Sequence, residues 1–190
     1  MTEGDTKARI LDVAERLVQV RGFNGFSYAD VAAELGITKA ALHYHFAGKA
    51  ELGQAIVERY ARRFAGALDA IDASGMTAPG KLHAYADLYL DVLRDDRMCL
   101  CGMLAAEFGT LSAPTQATLT RFFDDNEGWV RAVLDEGVAE ASVRLAGPSD
   151  DAARLIIGAL EGAMLITRPY RDPARFHAAA AQLIRSLTVA

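Results

Sequence analysis

The residues with the most informative chemistry lie close together, between Ser27 and Lys49. Hydroxyl, ammonium, imidazole and phenol groups crowd this stretch, and each of them can donate a hydrogen bond to an anionic oxygen. Donors gathered on one short segment suit the phosphate oxygens of a nucleic-acid backbone, which are contacted by side chains of these types. The seven donors are Ser27, Thr38, Lys39, His43, Tyr44, His45 and Lys49.

Two short helices with a tight turn between them are predicted to position these donors. Ser27 can N-cap the first helix and Thr38 the second, because their hydroxyls accept from free backbone N–H groups one turn on. Gly36 is predicted to end the first helix in the left-handed conformation, which costs glycine little. The pattern is that of a helix-turn-helix, in which the second helix lays its N-terminal residues in a DNA major groove.

The residues of the second helix are predicted to make different kinds of DNA contact. Thr38 and Lys39 stand at its start, so they are expected to touch base edges, while Ala40 is small enough to lie against a thymine methyl. The remaining donors are expected to grip phosphates, supplying affinity and register without reading sequence. This phosphate-contacting set is Ser27, His43, Tyr44, His45 and Lys49.

Residues 6–52 resemble the DNA-binding domain of the TetR family of bacterial transcriptional regulators. The likeness begins with TKARILDVAERLVQVRGFNGFS, whose apolar residues form the core stripe of a first helix, and it closes with the hallmark ALHYHFAGKAEL. His43 departs from the family, since many members carry Tyr there. The resemblance implies an all-α fold, with a three-helix helix-turn-helix DNA-binding domain over residues 1–48 and a helical domain for ligand binding and dimerisation over residues 49–190.

The same resemblance implies a function. The chain is similar to ligand-responsive transcriptional regulators, most often repressors, that bind a palindromic double-stranded DNA operator as a homodimer. Two recognition helices must reach successive major grooves about 34–36 Å apart, and a monomer could read only a half-site. A small-molecule effector, bound among the C-terminal helices, would release the DNA.

Composition and charge set the remaining bounds. Hydrophobic residues make up 52% of the 190 residues and strand-like alternation is absent, which favours a helical globular protein. The net charge is −5, and the first fifty residues hold six basic and six acidic side chains, so a few placed residues must carry any DNA contact. The polar N-terminus does not resemble a signal peptide, and the apolar residues 155–167 are too few to span a bilayer. We therefore expect a cytoplasmic protein with no membrane partner.

Large or polarisable side chains recur at helical spacing in the C-terminal two-thirds of the chain. Each is most simply explained as ordinary core, but together they predict a small-molecule cavity between helices. Glu107 is the polar group expected to face this cavity, the alternative being a solvated helix face. The predicted lining residues are Tyr85, Tyr89, Met103, Glu107, Phe108, Phe122, Trp129 and Met164.

A stripe of small residues predicts a close approach between helices. Gly158 and Gly162, with Ala159 and Ala163 beside them, recur four apart within LIIGALEGAMLIT. The stripe suits either a tight contact inside the monomer or a subunit interface. The resemblance favours the interface, because the family pairs its last two helices into a four-helix dimer bundle.

Other chemistries find little support in the sequence. There is no nucleophile elbow, phosphate-binding glycine loop, dinucleotide fingerprint or metalloprotease helix, so we expect no enzyme, no cofactor and no metal. Cys99 and Cys101 are expected to be buried, inert thiols. Two alternatives stay open: a regulator that senses oxidants or electrophiles through these thiols on the same scaffold, and a helical interaction module with a vestigial helix-turn-helix.

Overall fold

The computed structural model describes residues 3–189 and is built from helices joined by short turns. Within these residues there is no β-strand, and the one isolated antiparallel bridge pairs Val143 with Thr188. The predicted all-α fold is therefore confirmed. The helices are α1 (Glu3–Arg21), α2 (Tyr28–Leu35), α3 (Lys39–His45), α4 (Lys49–Asp72), α5 (Ala78–Arg94), α6 (Leu100–Ala106), α7 (Ala113–Ala139), α8 (Ser149–Thr167) and α9 (Pro173–Arg185), with single 3-10 turns at Phe108–Thr110 and Arg168–Tyr170.

The chain forms two compact units. The N-terminal unit combines the described part of Met1–Arg62 with Leu100–Arg121, and the C-terminal unit combines Arg63–Cys99 with the described part of Phe122–Ala190. Each of α4 and α7 thus contributes one segment to each unit. The predicted division at residue 48 concerns DNA binding against ligand binding, and it stays a prediction.

The N-terminal unit is organised around α1. Ile10, Ala14 and Val18 are fully buried at the three-to-four-residue spacing of one helix face, as the sequence predicts. Charged groups fix α4 against the polar side of the same helix: Arg59 donates to Asp12 at 2.7 Å and to the buried Glu15 at 2.9 Å. Charge-assisted bonds of this kind add direction to the non-directional apolar packing.

The C-terminal unit packs α9 against α5 and α8. Phe176, Ala180 and Ile184 are the buried residues of α9 and repeat every four positions, so one side of this helix faces the core. No helix among residues 3–189 combines the length and apolar character needed to cross a membrane.

Candidate nucleic-acid interface and ligand region

The caps predicted for the helix-turn-helix are present. Gly36 ends α2 with φ +65°, the left-handed conformation predicted for it, and Thr38 Oγ1 accepts from the backbone N–H of Ala41 at 3.1 Å at the start of α3. At the start of α2, the Asp30 carboxylate accepts from the backbone N–H of Ser27 at 2.7 Å and from its hydroxyl at 2.6 Å. These hydrogen bonds hold the pKa of Asp30 below its ordinary value, so this end of α2 keeps its negative charge.

Helix α3 has one buried side and one exposed side. Leu42 and Phe46 are 0% and 1% exposed, so they anchor the helix in the core of the N-terminal unit. Lys39 and Ala40 are exposed at its first turn, and Tyr44 is 75% exposed, although a tyrosine ring ordinarily gains from burial. The helix therefore displays Lys39, Ala40 and Tyr44, three of the residues predicted to contact DNA, on its exposed side.

His43 and its neighbour Tyr28 link the end of α3 to α2. The His43 ring lies 4.8 Å from the Tyr28 ring, and its Nδ1 is 3.2 Å from the carbonyl oxygen of Ala47. Tyr28 donates through its hydroxyl to the carbonyl of Phe46 at 3.1 Å. Burial, with the nearby Glu51 carboxylate, raises the pKa of Tyr28 to about 12, so its hydroxyl stays a donor. Sequence reasoning missed Tyr28, because its partner, the carbonyl of Phe46, is 18 residues away and no local spacing indicates the pairing.

Lys49 is turned inward. Its Nζ donates to the carbonyl of Phe26 and lies 4.4 Å from the Phe26 ring centroid and 4.9 Å from that of Phe23. Burial lowers the pKa of Lys49, an effect that the Glu107 carboxylate opposes. The structure therefore gives this predicted phosphate contact an internal partner, and Ser27 and Tyr44 are more exposed than it is.

Glu107 follows α6 in the chain, and its carboxylate contacts the turn after α1. Its carboxylate accepts from the backbone N–H groups of Phe23 and Asn24, and the Asn24 amide donates to the Thr110 hydroxyl at 2.8 Å. Gly22 permits this approach: it has φ +84°, and a Cβ there would lie 2.9 Å from Glu107 Oε1. The structure thus gives Glu107, the polar group predicted to face a ligand cavity, a backbone-binding role within the N-terminal unit.

This helix-turn-helix has counterparts among known regulators. Residues 10–56 match the family model described as "Bacterial regulatory proteins, tetR family", and residues 78–183 match that of the "Tetracyclin repressor-like, C-terminal domain". The chain belongs to the tetR family of bacterial regulatory proteins. It is a transcriptional regulator with a helix-turn-helix DNA-binding domain.

Solved and curated tetR-family proteins resemble it over different lengths. A TetR-family regulator from Agrobacterium tumefaciens has a TM-score of 0.95 at 27% identity, over 99% of this chain and 100% of that one. A TetR regulator from Legionella pneumophila gives 0.88 at 30% identity over the same shares. The HTH-type transcriptional regulator TtgR of Pseudomonas putida is 32% identical over 93 residues, which are 46% of this chain and 44% of TtgR. This chain thus matches under half the length of that curated relative.

Four of the predicted ligand residues meet in the C-terminal unit of this tetR-family chain. The Tyr85 ring stacks on that of Trp129 at 5.5 Å, and Phe64 makes edge-on contacts with Tyr85, Tyr89 and Phe122. The Tyr85 and Tyr89 hydroxyls are 2.9 Å apart, both rings are buried, and burial raises the pKa of each. These tyrosines form an apolar cluster with internal hydroxyl groups.

The other four predicted ligand residues are distributed differently. Met164 is fully buried in the C-terminal unit. Met103, Glu107 and Phe108 belong to the N-terminal unit, where Phe108 is 42% exposed. The predicted lining is therefore divided between the two compact units.

A buried carboxyl that sequence reasoning missed lies on α8. Burial raises the pKa of Glu161 to about 7, a shift that its hydrogen bond with Cys99 opposes. Its Oε1 is buried without a hydrogen-bond partner among the described residues. Cys99 and Cys101 are 1% and 0% exposed, so neither thiol meets the accessibility that oxidant sensing requires. The sequence around Glu161 does not predict this burial, because a single Glu on a helix is ordinarily exposed to solvent.

The predicted small-residue stripe lies on the open side of α8. Gly158 and Gly162 are exposed, and a Cβ added at either would meet no atom within 4 Å. On the same helix Leu155, Leu165 and Ile166 are 65%, 59% and 65% exposed. Ala159 and Ala163 are half-buried beside the glycines. The glycines therefore make no tight contact within the described chain.

Proposed function

We propose that this tetR-family chain is a ligand-responsive repressor that binds a palindromic operator as a homodimer. The observation that carries the DNA-binding half is the surface of α3, where Thr38, Lys39 and Ala40 are exposed beside the buried anchor Leu42. We assign base contacts to Thr38 and Lys39 and a thymine-methyl contact to Ala40, because they occupy the helix start that enters a major groove.

Phosphate contacts are assigned to the side chains around this helix start. Ser27, Tyr44 and His45 would supply affinity that is insensitive to sequence and falls as salt rises. His43 and Lys49 belong to the same proposed set, but each already has a partner in the N-terminal unit. Their first role would be to hold the geometry of the interface.

The proposed dimer uses the open face of α8. Large apolar side chains that are about two-thirds exposed gain free energy when a partner removes them from water. Gly158 and Gly162 between them would let a second helix approach closely, with Ala159 and Ala163 at the edges of the contact. A homodimer would also supply the two recognition helices that a palindrome requires.

The proposed effector site is helical and apolar. The cluster around Tyr85, Tyr89, Phe122 and Trp129 supports it, because small-molecule sites combine aromatic walls with a few internal polar groups. We assign DNA binding to residues 1–48 and effector binding and dimerisation to residues 49–190. An effector would release the operator only by binding more tightly to a conformation of the dimer in which the spacing of the two DNA-binding domains does not match that of the operator half-sites. Because the proposed function requires access to the bacterial DNA, we infer a cytoplasmic protein.

The test is DNA binding by a Lys39→Ala variant. Fragments retained by the full-length protein from its own genome supply the operator, and scrambled duplexes of equal length supply the reference. Because Lys39 is proposed to read a base, the variant should lose about 1–3 kcal/mol on the operator, roughly five- to 150-fold, and much less on scrambled DNA.

An Arg144→Ala variant is the control, because it removes one exposed positive charge from the segment between α7 and α8, outside the helix-turn-helix and outside the helices of the proposed dimer contact. It should bind both duplexes as the wild type does. If Lys39→Ala weakens operator and scrambled DNA equally, Lys39 contacts only phosphate. If the wild-type chain retains no fragment in a salt-sensitive manner, the proposal of a DNA-binding repressor is wrong.

A further inference from the structure

A pocket rich in arginine lies in the C-terminal unit, where the ends of α5 and α8 meet the start of α9. Its volume is about 180 Å³. The side chains around it share a positive bias, since four of the nine lining residues are arginine and two are aspartate. They are Leu93, Arg94, Asp96, Arg97, Thr167, Arg168, Arg171, Asp172 and Pro173.

The arginines of this pocket differ in how firmly they are paired. Arg171 makes no side-chain hydrogen bond or ion pair with any residue that the structure describes, and it is exposed. Arg94 and Arg97 pair with Asp91 and Asp95, which are not lining residues. An exposed pair such as Arg94–Asp91 contributes little, so its guanidinium can exchange partners readily. Counting Asp91 and Asp95, four aspartates stand against the four arginines, so the groups available to a ligand are Arg171 and the exchangeable Arg94.

The backbone at the arginine pocket is held in an unusual conformation. Asp96 has φ +56° and Arg171 has φ +50°, and these are two of the three non-glycine residues in the left-handed region among residues 3–189. Both conformations end helical segments: after α5 the backbone N–H groups of Asp96 and Arg97 donate to the carbonyls of Leu93 and Val92, and Arg171 closes the 3-10 turn by donating to the carbonyl of Arg168. These two helix ends place Asp96 and Arg171 in the lining of the arginine pocket.

We propose that the arginine pocket binds a small dianionic oxyanion, of the size of phosphate or of a phosphoryl group on a small molecule. Guanidinium groups match such ligands because they present paired N–H donors in a fixed plane. Arg171 and Arg94 supply two guanidinium groups, one for each charge of a dianion, around a pocket of about 180 Å³. The buried Thr167 adds a hydroxyl to the lining. This site is separate from the proposed aromatic effector site and does not depend on it.

The experiment titrates inorganic phosphate into the full-length protein at about pH 8, where phosphate is a dianion. Ionic strength is held constant with sodium chloride, and binding is followed by calorimetry and by the shift in Tm. The wild type should show saturable binding. Arg171→Gln should weaken it about tenfold or more, because a charge-assisted contact is lost, and Arg171→Lys should recover part of the loss.

Arg144→Gln is the matched control, since Arg144 is another exposed arginine of the same unit without a side-chain partner among the described residues. It should bind phosphate as the wild type does. If Arg171→Gln fails to fold, Arg94→Gln replaces it, with the same expectation. The proposal is overturned if phosphate binding is not saturable or if the control loses as much as Arg171→Gln. It is overturned in favour of nucleic-acid phosphate if Arg171→Gln weakens only DNA binding.

Discussion

At the scale of single residues, the most consequential side chain is Glu107. It satisfies two backbone donors at the turn after α1, those of Phe23 and Asn24, and the turn exposes them because Gly22 has left the helix. A carboxylate that accepts from backbone N–H groups forms hydrogen bonds about twice as strong as neutral ones. Glu107 therefore holds the end of α1, the helix on which the N-terminal unit is built.

Replacing Glu107 should destabilise the protein. We expect Glu107→Ala to lower the free energy of unfolding by about 1–3 kcal/mol, because it leaves backbone donors without their acceptor. Urea denaturation followed by far-UV circular dichroism measures this change. Glu140→Ala is the control, since Glu140 is an exposed glutamate with no side-chain partner among the described residues, and its effect should lie within about 0.5 kcal/mol. Equal stability of both variants with the wild type would contradict the role given to Glu107.

The contrast between Thr38 and Glu107 explains what a sequence can predict about side chains. Thr38 bonds to Ala41, three residues away, so its cap could be predicted from local spacing. Glu107 bonds to Phe23, 84 residues away, and no local pattern encodes that pairing. Lys49 was predicted to reach outward for the same reason: its inward partner, the carbonyl of Phe26, is 23 residues away.

At the scale of elements, α8 is distinguished by having apolar side chains on two sides, of which one is buried and the other is exposed. Ile156, Leu160 and Met164 face the core, while Leu155 and Leu165 lie exposed on the other side. A helix that is apolar on both sides ordinarily has a partner on each. The buried side is predictable from helical spacing, whereas the sequence left open whether the glycines pack within the monomer. The open space around Gly158 and Gly162 speaks against that alternative.

Gly162→Arg tests the α8 surface without disturbing the monomer. Arg is a better helix former than Gly by up to about 1 kcal/mol, and a side chain here has open space, so the folded monomer should be retained. If α8 pairs with a second copy through this stripe, the buried guanidinium should convert dimers to monomers. Sedimentation velocity measures the change, and operator affinity should fall with it.

Gly66→Arg provides the comparison for this variant. Gly66 is an exposed glycine of α4, also with no atom within 4 Å of a Cβ, so the same substitution is equally easy for the monomer. It should sediment as the wild type does. A Gly162→Arg protein that remains dimeric would place the subunit contact elsewhere.

At the scale of the whole molecule, the buried Glu161 makes stability depend on pH. Its pKa is raised from 4.5 to about 7 by burial, so between these values the folded protein holds a proton that the unfolded chain has released. Stability contributed by this group is complete below about pH 4.5 and is lost as pH rises through about 7. At 1.36 kcal/mol per pKa unit, the loss is roughly 3 kcal/mol.

A Glu161→Gln variant should lack this dependence. Near pH 5 its stability should be close to that of the wild type, and at about pH 8 it should exceed it by roughly 1–3 kcal/mol, because no charge is then buried. Denaturation at a series of pH values measures the difference in unfolding free energy between the variant and the wild type. The contributions of the other titrating groups cancel in this difference. Glu140→Gln, at an exposed site, should follow the wild type. A constant difference across the pH range would show that the pKa of Glu161 is the same in the folded and unfolded states.

The bond between Glu107 and the turn after α1 also bears on how regulators of this kind can be recombined. The first 62 residues carry the helix-turn-helix, but the acceptor for Phe23 and Asn24 comes from Leu100–Arg121 of the same compact unit. A DNA-reading head grafted from this chain onto another body would leave that acceptor behind. A working chimera would therefore have to inherit Gly22, Phe23 and Glu107 from one parent, although they stand far apart in the chain.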